Sequence, residues 1–423
     1  MKSSREEGVQ TLYTWIPFNV FTPSSLERKV FSFMGEAMMF RYPGASGKSN
    51  GNYLVTEIFK ENGNFCVPKG VTEVQVTLFG GGGSGNAMNS GQAQDEYQTI
   101  AGSAGGGGGW MNKNTVTVTP GEVIPITIGA GGKLNYSDSK TPISESGGTS
   151  SFGTYLSAAG GSGAPECNRG GNGGSGGGAT GYGNIMFNKR YYSHHYNSYA
   201  WGGHGFQFGG GGAEANNSIG GNGGPWGGGG GSSFCYNSSF ARVATGGQYG
   251  GNGGRMMYMR QSEGVNSNVS AENGTNTMSI ENEFLRGYGS VSTIYSTINS
   301  GFSNIYHSWG AGGGGYGGNG GFGSSSGGGG FGAEGGNGNI ENYFTIGQFG
   351  SGGGGGYGRY GKGGDAFLGI SGGGGAYGPG GSISHRAQDG GGGAGISRYF
   401  ALYINNSTYA DGASGICIVQ YYV

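Results

Sequence analysis

One short phrase, Gly-Gly-Asn-Gly-Gly, punctuates this chain at Gly170 to Gly174, Gly220 to Gly224, Gly250 to Gly254 and Gly317 to Gly321, and returns cut short at Gly335 to Gly338. Around these copies lie runs of three to five consecutive glycines, among them 80–83, 105–109, 209–212, 227–231, 352–356 and 390–393. Such runs leave few folds open. Each glycine loses more backbone freedom on ordering than any other residue, so α-helices and central strands are disfavoured. A polyproline-II-like shape remains, with three residues per turn, about 3.1 Å per residue and every backbone polar group pointing outward. Rods of this kind satisfy one another's N–H and C=O groups when they lie side by side, and without Cβ atoms they approach closely. Ordering costs ~1–2 kcal/mol per residue against ~1 kcal/mol net per hydrogen bond, so only a cooperative bundle holds.

Composition narrows the alternatives. Glycine supplies 109 of 423 residues with only 10 prolines and no strict Gly-X-Y period, which excludes a collagen triple helix. A disordered linker is disfavoured by 13% aromatic residues and only 11% charge. The phrase copies start at 170, 220, 250, 317 and 335, so rods of similar length are joined by connections of very unequal length and no fixed-period solenoid forms. The rods read as scaffold and the connections as cargo.

Residues 51–160 carry a strand pattern. Tyr53 to Phe59, Asn64 to Pro68, Thr72 to Phe79, Thr115 to Thr119, Glu122 to Ile128, Thr149 to Phe152 and Tyr155 to Ala159 are short apolar or alternating runs. Turns at Asn62-Gly63, Lys69-Gly70 and Pro120-Gly121 separate them. The closing run Gly415 to Val423 is as apolar as a central strand, and Tyr399 to Ile404 reads as its partner. The expected fold is therefore all-β, an antiparallel β-sandwich of 51–160 and 399–423. A glycine-rich bundle of 161–398 is expected as one long insertion. Residues 1–50, with Leu12, Trp15, Phe18, Phe21 and Phe31, form a module too small to bury much alone, expected to pack on a neighbour. Met34 to Phe40 reads as one or two helical turns within it.

The connections have a composition of their own. Asn184 to Trp201, Ser232 to Thr245, Arg255 to Trp309, Asn339 to Phe349 and Ser397 to Tyr409 are rich in Tyr, Ser and Asn with a few Trp and Arg, the mixture of antibody paratopes. Tyr191, Tyr192, Tyr196, Tyr199, Trp201, Tyr258, Tyr295, Tyr306 and Trp309 are the expected receptor-binding anchors. The competing reading is that these rings fold back over the glycines.

Other chemistries find little support. With 22 basic against 23 acidic residues the formal charge is −1, so a nucleic-acid partner is not expected. Four cysteines, Cys66, Cys167, Cys235 and Cys417, have no CxxC spacing and read as isolated buried thiols. Gly-x-Gly-x-x-Gly recurs by chance in so glycine-rich a chain. His194-His195 lacks supporting metal ligands, and Asp95-Glu96 reads as a solvated turn. Neither an enzyme activity nor a cofactor is expected. No secretory signal or stretch of ~20 apolar residues is visible, so synthesis in a cytoplasm without membrane insertion is expected.

A family resemblance rests on Phe65 to Gly83, Thr115 to Gly121, Ile126 to Gly132, Gly147 to Gly153 and Gly415 to Tyr421. Together these resemble the glycine-rich domain of bacteriophage tail-fibre proteins. The glycine-rich insertion with Tyr-rich loops is similar to the tip adhesins of T-even-like phages, and the extracellular glycine-rich domain of anaplastic lymphoma kinase shares a related plan. The resemblance implies a TNF/jelly-roll-like sandwich bearing polyglycine-II helices, and a virion protein whose loop tips recognise a host cell-surface protein or glycan. It further implies docking on other fibre proteins through residues 1–50, and a homo-oligomer is compatible with it. Two other classes compete: a structural subunit of a capsid fibre or extracellular filament, and an ice-binding bundle, against which the bulky irregular loops argue.

Overall fold

The computed structural model describes residues 40–43, 53–86, 103–136, 142–165, 169–180, 201–207, 209–212, 214–215, 220–231, 245–248, 250–253, 275–276, 288, 293–296, 306–309, 312–321, 327–338, 352–366, 371–382, 385–395 and 409–423. Among them there is no α-helix. Two sheets face each other. One has β1 (Phe40–Pro43), β2 (Tyr53–Phe59), β16 (Ile416–Tyr422), β4 (Glu73–Phe79) and β6 (Met111–Thr117) in the order β1-β2-β16-β4-β6. The other has β11 (Leu156–Ala158), β10 (Ser150–Phe152), β7 (Val123–Thr127) and β3 (Gly63–Cys66) in the order β11-β10-β7-β3. All pairings in both sheets are antiparallel.

Alternation explains which residues meet. In β4, Val74, Val76 and Leu78 turn inward and Glu73 and Gln75 outward, as a period of two requires. Phe65 from β3 and Phe152 from β10 are fully buried, and the Phe65 ring centroid lies 5.8 Å from Phe152 and 5.6 Å from Tyr421. The Tyr421 hydroxyl donates to Glu57 Oε1 at 2.5 Å. β16 is apolar throughout because both its faces are covered. Cys417, Val419 and Tyr421 enter the sandwich core, while Ile416 and Ile418 join Phe79, Met111 and Ala376 on the opposite face. Cys417 is buried, and desolvation pushes its thiol up to about 12. Cys66, expected to be buried, is exposed, because β3 directs Phe65 inward and its neighbour outward. Tyr399 to Ile404, read as the partner of the closing strand, lie outside the described residues; β16 pairs with β2 and β4. Of the supposed helical piece only Phe40 is described, and it starts β1.

Beyond the sandwich the glycine segments form one hydrogen-bonded array, and its pattern is clearest around 105–110. Gly105 and Gly108 donate to Gly178 and Ser175, Gly106 and Gly109 to Gly393 and Gly390, and Gly107 and Trp110 to Ser162 and Ala159. Residues three apart thus address the same neighbour, and three neighbours receive their N–H groups. On the carbonyl side, Gly171 and Gly174 bond to Gly105 and Gly108, Gly374 to Gly106, and Gly83 and Gly80 to Gly107 and Trp110. Six segments therefore surround this one. Residues 80–85 repeat the scheme, donating in pairs three apart to 110 and 107, 148 and 145, and 413 and 410.

The array is not confined to the insertion expected at 161–398. Two segments surrounded by neighbours, 80–85 and 105–110, continue directly from β4 and into β6. Strand ends held by the sandwich fix where these two rods begin and which way they run. Ser150, buried in β10, ties the two parts together: its hydroxyl donates to Phe79 O at 2.8 Å and accepts from Gly129 N at 2.9 Å.

An aromatic row also spans the junction. Ring centroids follow at 5.0 Å (Trp226–Tyr316), 5.0 Å (Tyr316–Phe331), 5.2 Å (Phe331–Tyr357), 6.0 Å (Tyr357–Phe79) and 5.5 Å (Phe79–Tyr377). Three of these rings sit in the same turn, each followed by a glycine with φ near +70°: Gly317, Gly332 and Gly358. That conformation belongs to glycine, which is why the turns read Tyr-Gly, Phe-Gly and Tyr-Gly.

A Cβ on Gly106 would come within 3.0 Å of the Gly83 backbone, whereas one on Gly121, in a surface turn with φ +84°, meets nothing within 4 Å. Gly106→Ala is expected to cost about 3 kcal/mol or more, as severe overpacking does, and Gly121→Ala about 1–2 kcal/mol from φ alone. Thermal unfolding of the two variants measures the difference.

Candidate functional site

The hydrogen-bond register gives the array two ends. Residue 80 leaves β4 and 110 enters β6, so 105 and 85 mark the end away from the sandwich. Working outward through bonded neighbours, 171, 178, 203, 212, 221, 230, 327, 336, 353, 364 and 394 belong to that far half. The connections at the sandwich end are tight. Gly227 bonds across to Gly224, Gly250 to Gly247, Gly318 to Gly315, Gly330 to Ala333 and Gly361 to Gly358. Thr245 and Thr275 rejoin the array part-way along, at Gly223 and Asn252, whereas the described residues that flank 87–102, 181–200, 339–351 and 396–408, and those that precede 232–244 and 254–274, are at the far end. There β5 (Ser103–Ala104) pairs antiparallel with β12 (Ala179–Thr180), which pairs in parallel with β13 (Glu214–Ala215). The hairpin of β8 (Leu134–Tyr136) and β9 (Pro142–Ser144) sits at the same side.

The expected anchors divide into three groups. Tyr191, Tyr192, Tyr196, Tyr199 and Tyr258 lie outside the described residues, as do His194-His195 and Asp95-Glu96. Tyr295, Tyr306 and Trp309 fall on one antiparallel hairpin, β14 (Thr293–Ser296) with β15 (Tyr306–Trp309), in which Tyr295 faces His307, Tyr306 faces Ser296 and Trp309 faces Thr293. Trp201 stands at the far rim of the array, 38% exposed, with the Arg169 guanidinium 5.2 Å from its ring centroid.

Sequence reasoning missed Arg169, His204, Phe206 and Trp110. A period of three finds two of them, Arg169 and His204: Arg169, Asn172 and Ser175 recur on one rod, Trp201, His204 and Gln207 on the next, whereas Phe206 and Trp110 lie off it. These two rods run in parallel, with Gly170 bonded to Trp201 and Gly173 to His204. The Asn of the four full phrases lies at the rim with its side chain engaged, because edge rods have N–H groups with no further rod to meet. Asn172 Oδ1 accepts from His204 N, Asn222 Oδ1 from Thr245 N, Asn252 Oδ1 from Gly246 N and Asn319 Oδ1 from Tyr288 N, at 2.7 to 3.0 Å.

His204 continues this seam. Its Nδ1 accepts from Asn222 N at 2.9 Å, which requires a neutral ring with the proton on Nε2. Burial first, and the Arg169 charge second, hold its pKa below the ordinary histidine value.

Among known proteins, a family model described as a glycine-rich domain matches residues 60–257, from β3 through the rods that end at Gly253. No curated protein and no solved structure matches the chain.

Because the folded pKa of His204 lies below the unfolded one, its neutral form stabilises the fold at neutral pH. That contribution is lost as the pH falls below about 6.5. The melting temperature should decline in this window, and the decline should shrink in His204→Asn, which keeps an acceptor but cannot charge. Asn222→Ala, which removes one rim bond, should cost about 1 kcal/mol at any pH.

Proposed function

We propose that the protein is a receptor-binding adhesin of a virion, a phage tail-fibre tip or its equivalent, whose Tyr-, Asn- and Ser-rich connections bind a host cell-surface protein or glycan. The observation that carries this reading is the uneven distribution of connections: aromatic-bearing tight turns beside the sandwich, and at the opposite end the described residues that flank 87–102, 181–200, 339–351 and 396–408. A scaffold that gathers variable-length connections at one end, away from its attachment side, is suited to display. Stiff amphipathic rings then supply contact area at small entropic cost.

In this reading the array is a bundle of polyglycine-II helices on a TNF/jelly-roll-like sandwich. Support comes from the donor pattern, in which residues three apart address one neighbour and six segments surround 105–110. A threefold helix has this symmetry, and its neighbours run in either direction, as 105–110 does with 171–174 in parallel and 390–393 in antiparallel sense. The match to a glycine-rich domain over 60–257 agrees with the scaffold part of the reading. Residues 1–50 dock on other fibre proteins; their described part, β1, is an edge strand of the five-stranded sheet. The protein acts by binding and uses no cofactor; it is made in the host cytoplasm and carried on the particle.

Replacing Tyr191, Tyr192, Tyr196 and Tyr199 together by Ser is expected to abolish adsorption to host cells while the melting temperature stays within a few degrees. Loss of folding instead would mean that these rings cover the array. Rods or sheets in electron micrographs of the purified protein, without cell binding, would favour the fibre-subunit reading.

A further inference from the structure

We infer that the side of the array carries a second, separate binding strip for an oligosaccharide chain, running from Trp201 to Trp110 along the rod 201–207. This inference goes beyond the adhesin reading: of the anchors expected there it uses only Trp201, and its other residues belong to the rods and to the start of β6.

Two aromatic platforms bound the strip. At the far rim is Trp201, 38% exposed, with Arg169 against its ring. At the sandwich end is Phe206, 48% exposed, its ring stacked on Trp110 with centroids 5.5 Å apart and planes only 6° from parallel. Gln207 holds this end in place, its Oε1 accepting from Met111 N at 2.8 Å. Phe206 is five positions beyond Trp201, roughly 15 Å at the rise of a threefold rod, which is the reach of a short oligosaccharide.

Planar polar groups lie between the platforms. His204, its ring 6.1 Å from Phe206, uses Nδ1 on the seam and therefore offers Nε2–H as a donor. Asn172 uses its oxygen on His204 N and retains an amide NH2. Ring faces alternating with fixed, neutral donors match a sugar chain, whose pyranose faces are apolar and whose rims carry hydroxyls. The rods keep these groups in place beforehand, so little rotamer freedom is lost on binding. Of Trp110, Arg169, Asn172, Trp201, neutral His204 and Phe206, only Arg169 carries charge. Stacking and neutral hydrogen bonds therefore dominate, and binding should survive high salt.

The full-length protein, run by native electrophoresis through gels containing a soluble glucan, mannan, galactan or, as the anionic comparison, heparin, tests this strip. The expected result is retardation by at least one neutral polysaccharide, retained at high salt and in the quadruple 191–199 tyrosine variant. Phe206→Ala and Trp201→Ala should each weaken it tenfold or more with folding intact. Phe206→Leu, which keeps apolar cover over Trp110 without a ring face, should do the same should Phe206→Ala unfold. Retardation by none of the neutral polysaccharides, or retardation unchanged by these substitutions, would overturn the inference. So would binding to heparin alone, or a concentration-dependent dimer that Phe206→Ala dissolves, which would make the strip a contact between copies.

Discussion

The backbone N–H···O=C bond between glycine segments is the interaction on which the rest of this structure depends. It recurs every third residue toward the same neighbour, and it requires the absence of Cβ: at Gly106 as elsewhere, an added carbon would lie against a neighbouring carbonyl. Inside the array only small side chains such as Ser84, Ser175 and Ala394 are accommodated, and a larger one needs open surface beside its rod. Hence Asn172, Asn222, Asn252 and Asn319 sit at rims, and each repairs the lattice edge with a side-chain bond to a backbone N–H.

Such a lattice is chemically uniform, which creates a problem of identity. Any glycine rod can bond to any other, and net hydrogen-bond energies barely match the cost of ordering. Neighbour choice must come from residues that are not glycine. The sandwich supplies a seed, since β4 and β6 deliver 80–85 and 105–110 side by side, and Ser150 ties that seed to the sheet. The row from Trp226 to Tyr377 then marks which turns belong together, because stacked rings of different rods fit in one order. Lys60 and Asp389, 2.8 Å apart across the same junction, add little, since the lysine is largely exposed.

Much of the sandwich was legible. The alternation of Glu73 to Phe79 and the unbroken apolarity of Ile416 to Tyr422 follow from which faces are covered, and local pattern carries that information. β6 was less so: it begins at Met111, through the polar run Asn112 to Asn114, because pairing with β4 rather than its own hydrophobicity makes it a strand. Of the expected anchors, Trp201 was found at the far rim, whereas its partners Arg169 and His204 escaped notice. Their signal was a period of three, invisible to a search for periods of two and 3.6.

The sequence by itself pointed to the all-β fold that the described residues show, to glycines that bond to one another, and to rods of similar length joined by connections of unequal length. Those conclusions follow from local chemistry: what a glycine run cannot form, and what an alternating strand must bury. Only the tertiary structure decided that the lattice takes in 80–85 and 105–110 together with the rods of the long insertion, that the tight turns gather at the sandwich end, and that the rod bearing Trp201, His204 and Phe206 packs beside Arg169 and Trp110. The reason is physical. A glycine N–H carries no mark of its intended partner, so neighbour and direction are settled by distant residues meeting in space.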